Sequence, residues 1–264
     1  MPKPSRLAVI GQLSESHRRL EQLLNDIGRE GLHLRSACSQ WSVGQVVAHL
    51  GSGAEIALEA LRAGVAGSGE PVADEMMQRL WADYDALAQG AAVDRALTAN
   101  AALVEAFEAL TATQLAEVRV PFVVGPVPVA TFAAFRLSEH AVHTWDIEVT
   151  RHGAAELDVA SSAIILENVI KPLIGRLARP SSAAAKRIDV QLIDVGRTLR
   201  LELGDPVALL EEASPATADG SLMISTPAFV RLVYGRLDPQ PAPDTVTVTG
   251  AVSLDQLRKV FPGF

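Results

Sequence analysis

The segment FRLSEHAVHTWDI carries the most informative arrangement of ionisable groups in the chain. At about 100° per residue, Glu139 and His143 stand one turn apart on one helix face. A carboxylate and an imidazole at that spacing can converge on a single ion. His49 lies in the apolar context VVAHLG, where an ionisable side chain needs a reason to be. Two imidazoles and one carboxylate would leave the fourth position of a tetrahedral zinc ion open, the pattern of a catalytic site, whereas structural zinc is usually closed by four protein ligands. Blander readings compete. A Glu–His pair at i,i+4 is common as a weak surface interaction, and a lone histidine in an apolar helix is often a hydrogen-bonded core residue. His140 and His143 are also spaced i,i+3, so spacing alone leaves the co-ligand of His143 open.

These residues need helices to hold them. Apolar residues recur as Leu7, Ile10, Leu13, Leu20, Leu24 and Ile27, close to one helical stripe, with Ser5 as N-cap and Gly31 as stop. A second helix starts after Trp41, capped by Ser42, and carries His49 towards Gly64. Its interior glycines, Gly51 and Gly53, weaken it but allow close helix approach. Beyond a Gly/Ser-rich loop (Ala66 to Pro71), an alanine-rich helical region runs from Asp74 to Leu115, with a break near Gly90. The stretch EVRVPFVVGPVPV, with valines around prolines and a glycine, predicts a short extended excursion and turn. Thr131 to Val149 is the fourth main helix. The second half reads differently. A helix over Ser161 to Leu177 ends at Pro180 and a Ser/Ala-rich link. The alternation in RIDVQLIDVGRTLRLELG predicts a hairpin around Val195-Gly196. Pro227 to Leu237 suits a helix, TVTVTG a strand and SLDQLRKVF a closing helix. The fold class is therefore multi-domain, α followed by α+β: a helical bundle over residues 1–155 and a small α+β domain over 156–264.

Composition narrows the function classes. The chain of 264 residues is 48% hydrophobic and 20% charged, a globular balance. A formal charge of −8 and the lack of Lys/Arg runs argue against nucleic acid as a partner. No apolar run approaches the ~20 residues that span a bilayer, so no membrane partner is expected. The opening MPKPSRLAVIGQLSESH has no stretch suited to a signal peptide. With a single cysteine, Cys38, no intramolecular disulfide is possible. A cytoplasmic location is expected; oligomeric state is left open.

WSVGQVVAHL, followed about 90 residues later by RLSEHAVHTWDI, resembles the paired signature of the DinB-like superfamily, in its mycothiol-dependent maleylpyruvate isomerase branch. In that pattern a Trp precedes the helix bearing the first histidine ligand. An R-x-x-E-x-x-x-H-x-x-D run then supplies the other two. Here the matching residues are Trp41, His49, Arg136, Glu139, His143 and Asp146. The resemblance puts His140 at a non-ligand position and so implies the metal set His49, Glu139 and His143. LMISTPAFVRLVYGRLDP with VTVTGAVSLDQLRKVF is similar to the sterol-carrier-protein-like C-terminal domain of the same branch, although the link LDPQPAPD is longer than that pattern has. The implied architecture is a DinB-like four-helix bundle followed by a small sterol-carrier-like α+β domain.

The resemblance also implies Zn2+ (another divalent metal could serve) and mycothiol as thiol cosubstrate. The metal favours thiolate over thiol, and the thiolate adds to a cis-dioxo acid, permits rotation and leaves. A related S-transferase would instead leave the thiol attached to an electrophile. A non-catalytic ligand-binding protein is a third reading, against which an open His/Glu/His set argues. Partners are then a small-molecule thiol and a small anionic or electrophilic substrate. Arg236 is the family-motivated catalytic candidate for gripping a substrate carboxylate across the domain cleft, with Arg231 as competitor. Asp146 is either a support for a ligand imidazole or a helix-end group. Arg136 either steadies Glu139, meets an anionic substrate or makes a surface ion pair. Trp41 is expected to be core packing. Cys38, with no histidine beside it in sequence, is expected to be a small buried hydrophobe.

Overall fold

The computed structural model describes residues 6–263 apart from 39, 124, 180–185, 212–216 and 238–244. It divides into two compact units, Met1–Ala155 and Glu156–Phe264. The expected N-cap Ser5, Pro180 with the Ser/Ala link, and most of the LDPQPAPD link lie outside the described residues.

In the first unit, α1 (Arg6–Ile27) buries Val9, Ile10, Leu13, Leu20 and Leu24 along one stripe. The helix ends at Gly28, not at Gly31. Gly28 takes φ +67°, a left-handed conformation that costs glycine little and stops helices. Gly31 falls inside a short 3-10 turn, Arg29–His33. Helix α2 (Val43–Val65) begins in a capping box. The Ser42 hydroxyl accepts from the Gln45 N–H (3.3 Å) and the Gln45 side chain accepts from the Ser42 N–H (2.9 Å). The alanine-rich region breaks twice, giving α3 (Asp74–Asp85), α4 (Gln89–Glu108) and α5 (Ala112–Glu117). The extended excursion is a two-residue ribbon, β1 (Arg119–Val120) with β2 (Val127–Pro128). Helix α6 (Val129–Glu148) follows directly.

Helix α2 packs along α4, and α1 along α6. Leu20, Leu24, Val46, Val47, Leu50, Val93, Ala96 and Ile147 meet in one core. Gly51 sets the depth of the α2–α4 contact. A Cβ there would lie 2.4 Å from the Ala96 Cβ and 2.6 Å from the Tyr84 hydroxyl. The Tyr84 hydroxyl donates to Glu55 (2.9 Å), which also accepts two bonds from Arg95 (2.8 Å each).

The second unit carries a five-stranded sheet in the order β5-β4-β3-β6-β7. Its strands are β3 (Lys186–Leu192), β4 (Arg197–Leu203), β5 (Ala208–Glu211), β6 (Gly220–Ile224) and β7 (Thr247–Gly250). The period-2 reading holds at the hairpin: Ile188 faces Leu201 and Val190 faces Leu199, all buried. Strand β6 runs parallel to β3; β5 and β6 were not anticipated, being short and irregularly patterned. The helix expected over 161–177 consists of α7 (Val159–Ile165), a single π turn (Leu166–Ile170) and α8 (Lys171–Leu177). Helix α9 (Thr226–Val233) is capped by Ser225, and α10 (Leu254–Val260) by a Ser253–Gln256 capping box. Among the described residues, no helix is long and apolar enough to cross a membrane.

Gly51→Ala tests the helix contact. Alanine favours a helix by about 1 kcal/mol over glycine, yet overpacking typically costs about 1–3 kcal/mol. The variant is expected to unfold at lower denaturant than the wild type. A gain in stability would show that α2 and α4 are not in closest contact there.

Candidate metal centre

His49 projects from the second turn of α2, and Glu139 and His143 from successive turns of α6. His49 Nε2 lies 3.3 Å from Glu139 Oε2, and His143 Nε2 lies 3.8 Å from the same oxygen. The two imidazoles stand 5.0 Å apart, nearly perpendicular. One donor atom from each of the three residues falls within 4.8 Å of the other two. The side chains of His49 and Glu139 are 36% and 43% exposed, that of His143 only 11%, so the group is open to solvent on one side.

Neighbouring residues hold each member. Asp146, fully buried one turn beyond His143, accepts a hydrogen bond from His143 Nδ1 at 2.9 Å. With Asp146 as the acceptor, Nδ1 carries the proton, and a neutral His143 ring then has its lone pair on Nε2, the nitrogen nearer Glu139. Of the two readings of Asp146, the structure thus favours support of the imidazole. The Trp41 ring lies 5.0 Å from that of His49 and 6.2 Å from that of His143. It packs against the apolar core of the first unit, as expected, and against both imidazoles as well.

Arg136 is not a surface residue. It is buried, and its guanidinium donates to the Leu50 carbonyl in α2 at 3.3 Å. Gly53 makes room for it, since a Cβ there would lie 2.8 Å from Nη1. Burial raises the Glu139 pKa, but the hydrogen bond with His49 and the charges of His143 and Arg136 outweigh it and hold the carboxyl at about 2. Glu139 is accordingly an anion at any physiological pH. His140 points elsewhere, with Nδ1 2.9 Å from Ser16 Oγ in α1. Burial, then Arg136, pushes its pKa well below the usual histidine value.

An anionic carboxylate and two imidazoles, one with its lone pair fixed, form a donor set that could hold a divalent cation of the zinc type. Sequence reasoning missed one neighbour. Cys38 lies with His143 and Asp146 in a second group whose donor atoms are within 4.8 Å of one another. It is half-buried and has a histidine close by in space. No local pattern encodes this, because the link is a hydrogen bond from the Ala37 N–H to the Asp146 carbonyl, 2.8 Å long.

Arg231 and Arg236 belong to the second unit. Arg231 is in α9; burial lowers its pKa, and Glu156 opposes this. Arg236 follows Gly235, whose φ is +68°. It donates from Nη1 to the Tyr234 carbonyl (2.8 Å) and from its backbone N–H to the Arg231 carbonyl (2.7 Å).

Two solved structures share the fold. One, of a mutant of the mycothiol-dependent maleylpyruvate isomerase, aligns with a TM-score of 0.67 at 15% identity, covering 95% of each chain. Another, of the mycothiol-dependent maleylpyruvate isomerase, aligns at 0.64 and 17%, again over 95% of each. Comparison with curated protein sequences finds no match. The family model of the mycothiol maleylpyruvate isomerase N-terminal domain matches residues 13–148, just over half of the chain and the whole of the segment that carries the cluster. The chain belongs to the mycothiol maleylpyruvate isomerase family.

Proposed function

We propose that this chain is a metal- and thiol-dependent enzyme in which His49, Glu139 and His143 hold a divalent cation, zinc by preference, and mycothiol is the cosubstrate. The reaction we infer is a maleylpyruvate-type cis–trans isomerisation. The observation that carries this reading is the convergence of two imidazoles and an anionic carboxylate from two helices, left open on one side. The family's own description, which pairs mycothiol with maleylpyruvate isomerase, supports the choice of thiol and reaction. On this reading the first unit is the metal-binding bundle and the second the sterol-carrier-like domain.

When bound, the cation would stabilise thiolate over thiol near neutral pH. The chain's own residues prepare for it. Asp146 keeps the His143 lone pair on Nε2, Glu139 supplies negative charge, and Trp41 restrains both rings. The cosubstrate thiolate forms a carbon–sulfur bond to one alkene carbon of the cis acid. The former double bond then rotates as a single bond, and the thiolate leaves to restore the alkene in its trans form. No thiol is consumed. Arg236 is proposed to bind a substrate carboxylate in the bidentate manner open to guanidinium, with Arg231, five residues earlier, as the competing candidate.

Metal content tests the ligand set. About one zinc per chain is expected in the purified protein, with most of it lost in H49A, E139A and H143A. Full retention in two of the three would sink the assignment. D146N should fold and keep the metal but bind it about 10–100-fold more weakly in chelator competition; unchanged affinity would remove Asp146 from the site. R236A should retain metal while raising KM for an anionic substrate, and wild-type kinetics would free Arg236 of that role. Following thiol during turnover distinguishes chemistry. Regeneration supports isomerisation; stoichiometric loss would mean S-transfer to an electrophile.

A further inference from the structure

The turn that precedes α2 brings a thiol close to His143 and Asp146. The turn is closely bonded. Ser36 Oγ accepts from the Cys38 N–H (3.1 Å) and donates to the carbonyls of Cys38 (3.1 Å) and Trp41 (2.9 Å). The Trp41 N–H donates to the Cys38 carbonyl (2.8 Å), and the Ala37 N–H to the Asp146 carbonyl in α6 (2.8 Å). Cys38 is therefore fixed against the C-terminal half of α6. Its Sγ, a His143 nitrogen and an Asp146 carboxylate oxygen lie within 4.8 Å of one another. Sulfur, imidazole nitrogen and carboxylate oxygen are all donors to zinc-like cations, and the sulfur tilts preference towards softer ions.

We propose that Cys38, His143 and Asp146 form a second cation site, selective for a thiophilic divalent ion, that competes with the His49–Glu139–His143 set for His143. A neutral imidazole has one lone pair. With Asp146 accepting at 2.9 Å, Nδ1 is the protonated nitrogen of that ring. A cation between Cys38 and Asp146 takes Nδ1 instead, moves the imidazole proton to Nε2, and turns Asp146 from acceptor to ligand. The Cys38 thiol proton goes to solvent as the sulfur–metal bond forms; no electrons are exchanged. A soft ion held there withdraws His143 from the other set. The competition rests on the ligand set proposed above, but the existence of the second site does not.

Cadmium is the probe. Because Cys38 is the one cysteine of the chain, ultraviolet sulfur-to-cadmium charge-transfer absorption reports it alone. Cadmium titrated into the metal-stripped full chain should produce the band in the wild type and not in C38S. In D146N the midpoint should rise by at least about tenfold, the loss usual even for a group that only steadies a ligand. D146E takes its place should D146N fail to fold by circular dichroism. No band in the wild type, or a D146 variant that titrates like the wild type, would overturn the site. Preloading with zinc should raise the cadmium midpoint in the wild type but not in H49A. Equal protection of both would overturn the competition. H49A that keeps its zinc would refute the proposed ligand set while leaving the cadmium band as evidence for the second site.

Discussion

Arg136 carries a positive charge into the helical core, and its contact with α2 bridges the two helices that bear the cluster. A buried guanidinium loses its hydration, a cost that must be recovered from hydrogen bonds and neighbouring charge. Here the Leu50 carbonyl and the carboxylate of Glu139 contribute to that recovery. Leu50 follows His49, and Glu139 lies one turn beyond Arg136 on α6. One side chain thus ties together the two helices that bear the donors, at the level where the donors meet. Gly53 is part of the same device, because a side chain there would displace the guanidinium. The two glycines of α2 consequently have separate uses. Gly51 lets α2 sink against α4, and Gly53 admits Arg136 from α6.

The electrostatic consequence falls on Glu139. It stands between Arg136 and two imidazoles, and those partners outweigh the burial that would otherwise favour its neutral form. A carboxylate held as an anion beside two imidazoles is a donor set suited to a divalent cation. Trp41 adds stiffness without charge, since its ring packs near both imidazoles. The Ser42–Gln45 capping box starts α2 just after it, so the tryptophan and the first histidine share one rigid segment.

Much of this was legible from residue types and spacing. The stripe of α1, the cap of α2 and the hairpin register at Ile188–Leu201 each follow a local rule of period or capping, and the structure has them. The i,i+4 geometry of Glu139 and His143 follows from the helix alone. Errors arose where local signals compete or where the cause is tertiary. Gly28 and Gly31 are both plausible helix stops, and only backbone conformation distinguishes them. The π turn at 166–170 leaves no mark in composition. The burial of Arg136 and the approach of Cys38 to His143 depend on hydrogen bonds between segments about 90 to 110 residues apart, which no window of sequence contains.

The position of His143 on α6 has a further consequence. Glu139 lies four residues before it and Asp146 three residues after, so one imidazole has a carboxylate near each ring nitrogen. The two carboxylates are unequal. Asp146 is fully buried, whereas the Glu139 side chain is 43% exposed and can draw on water as well as on His49. The buried one gains more from a ring N–H, because an unpaired polar group in the interior is costly. The proton therefore settles on Nδ1, and the lone pair turns outward. Asp146 lies 2.9 Å from Nδ1, whereas Glu139 lies 3.8 Å from Nε2, so the buried acid is the one placed to take the ring N–H and Nε2 is the nitrogen available to a metal. Carboxylates equally distant from both nitrogens would leave the tautomer undetermined and the donor set without a fixed direction.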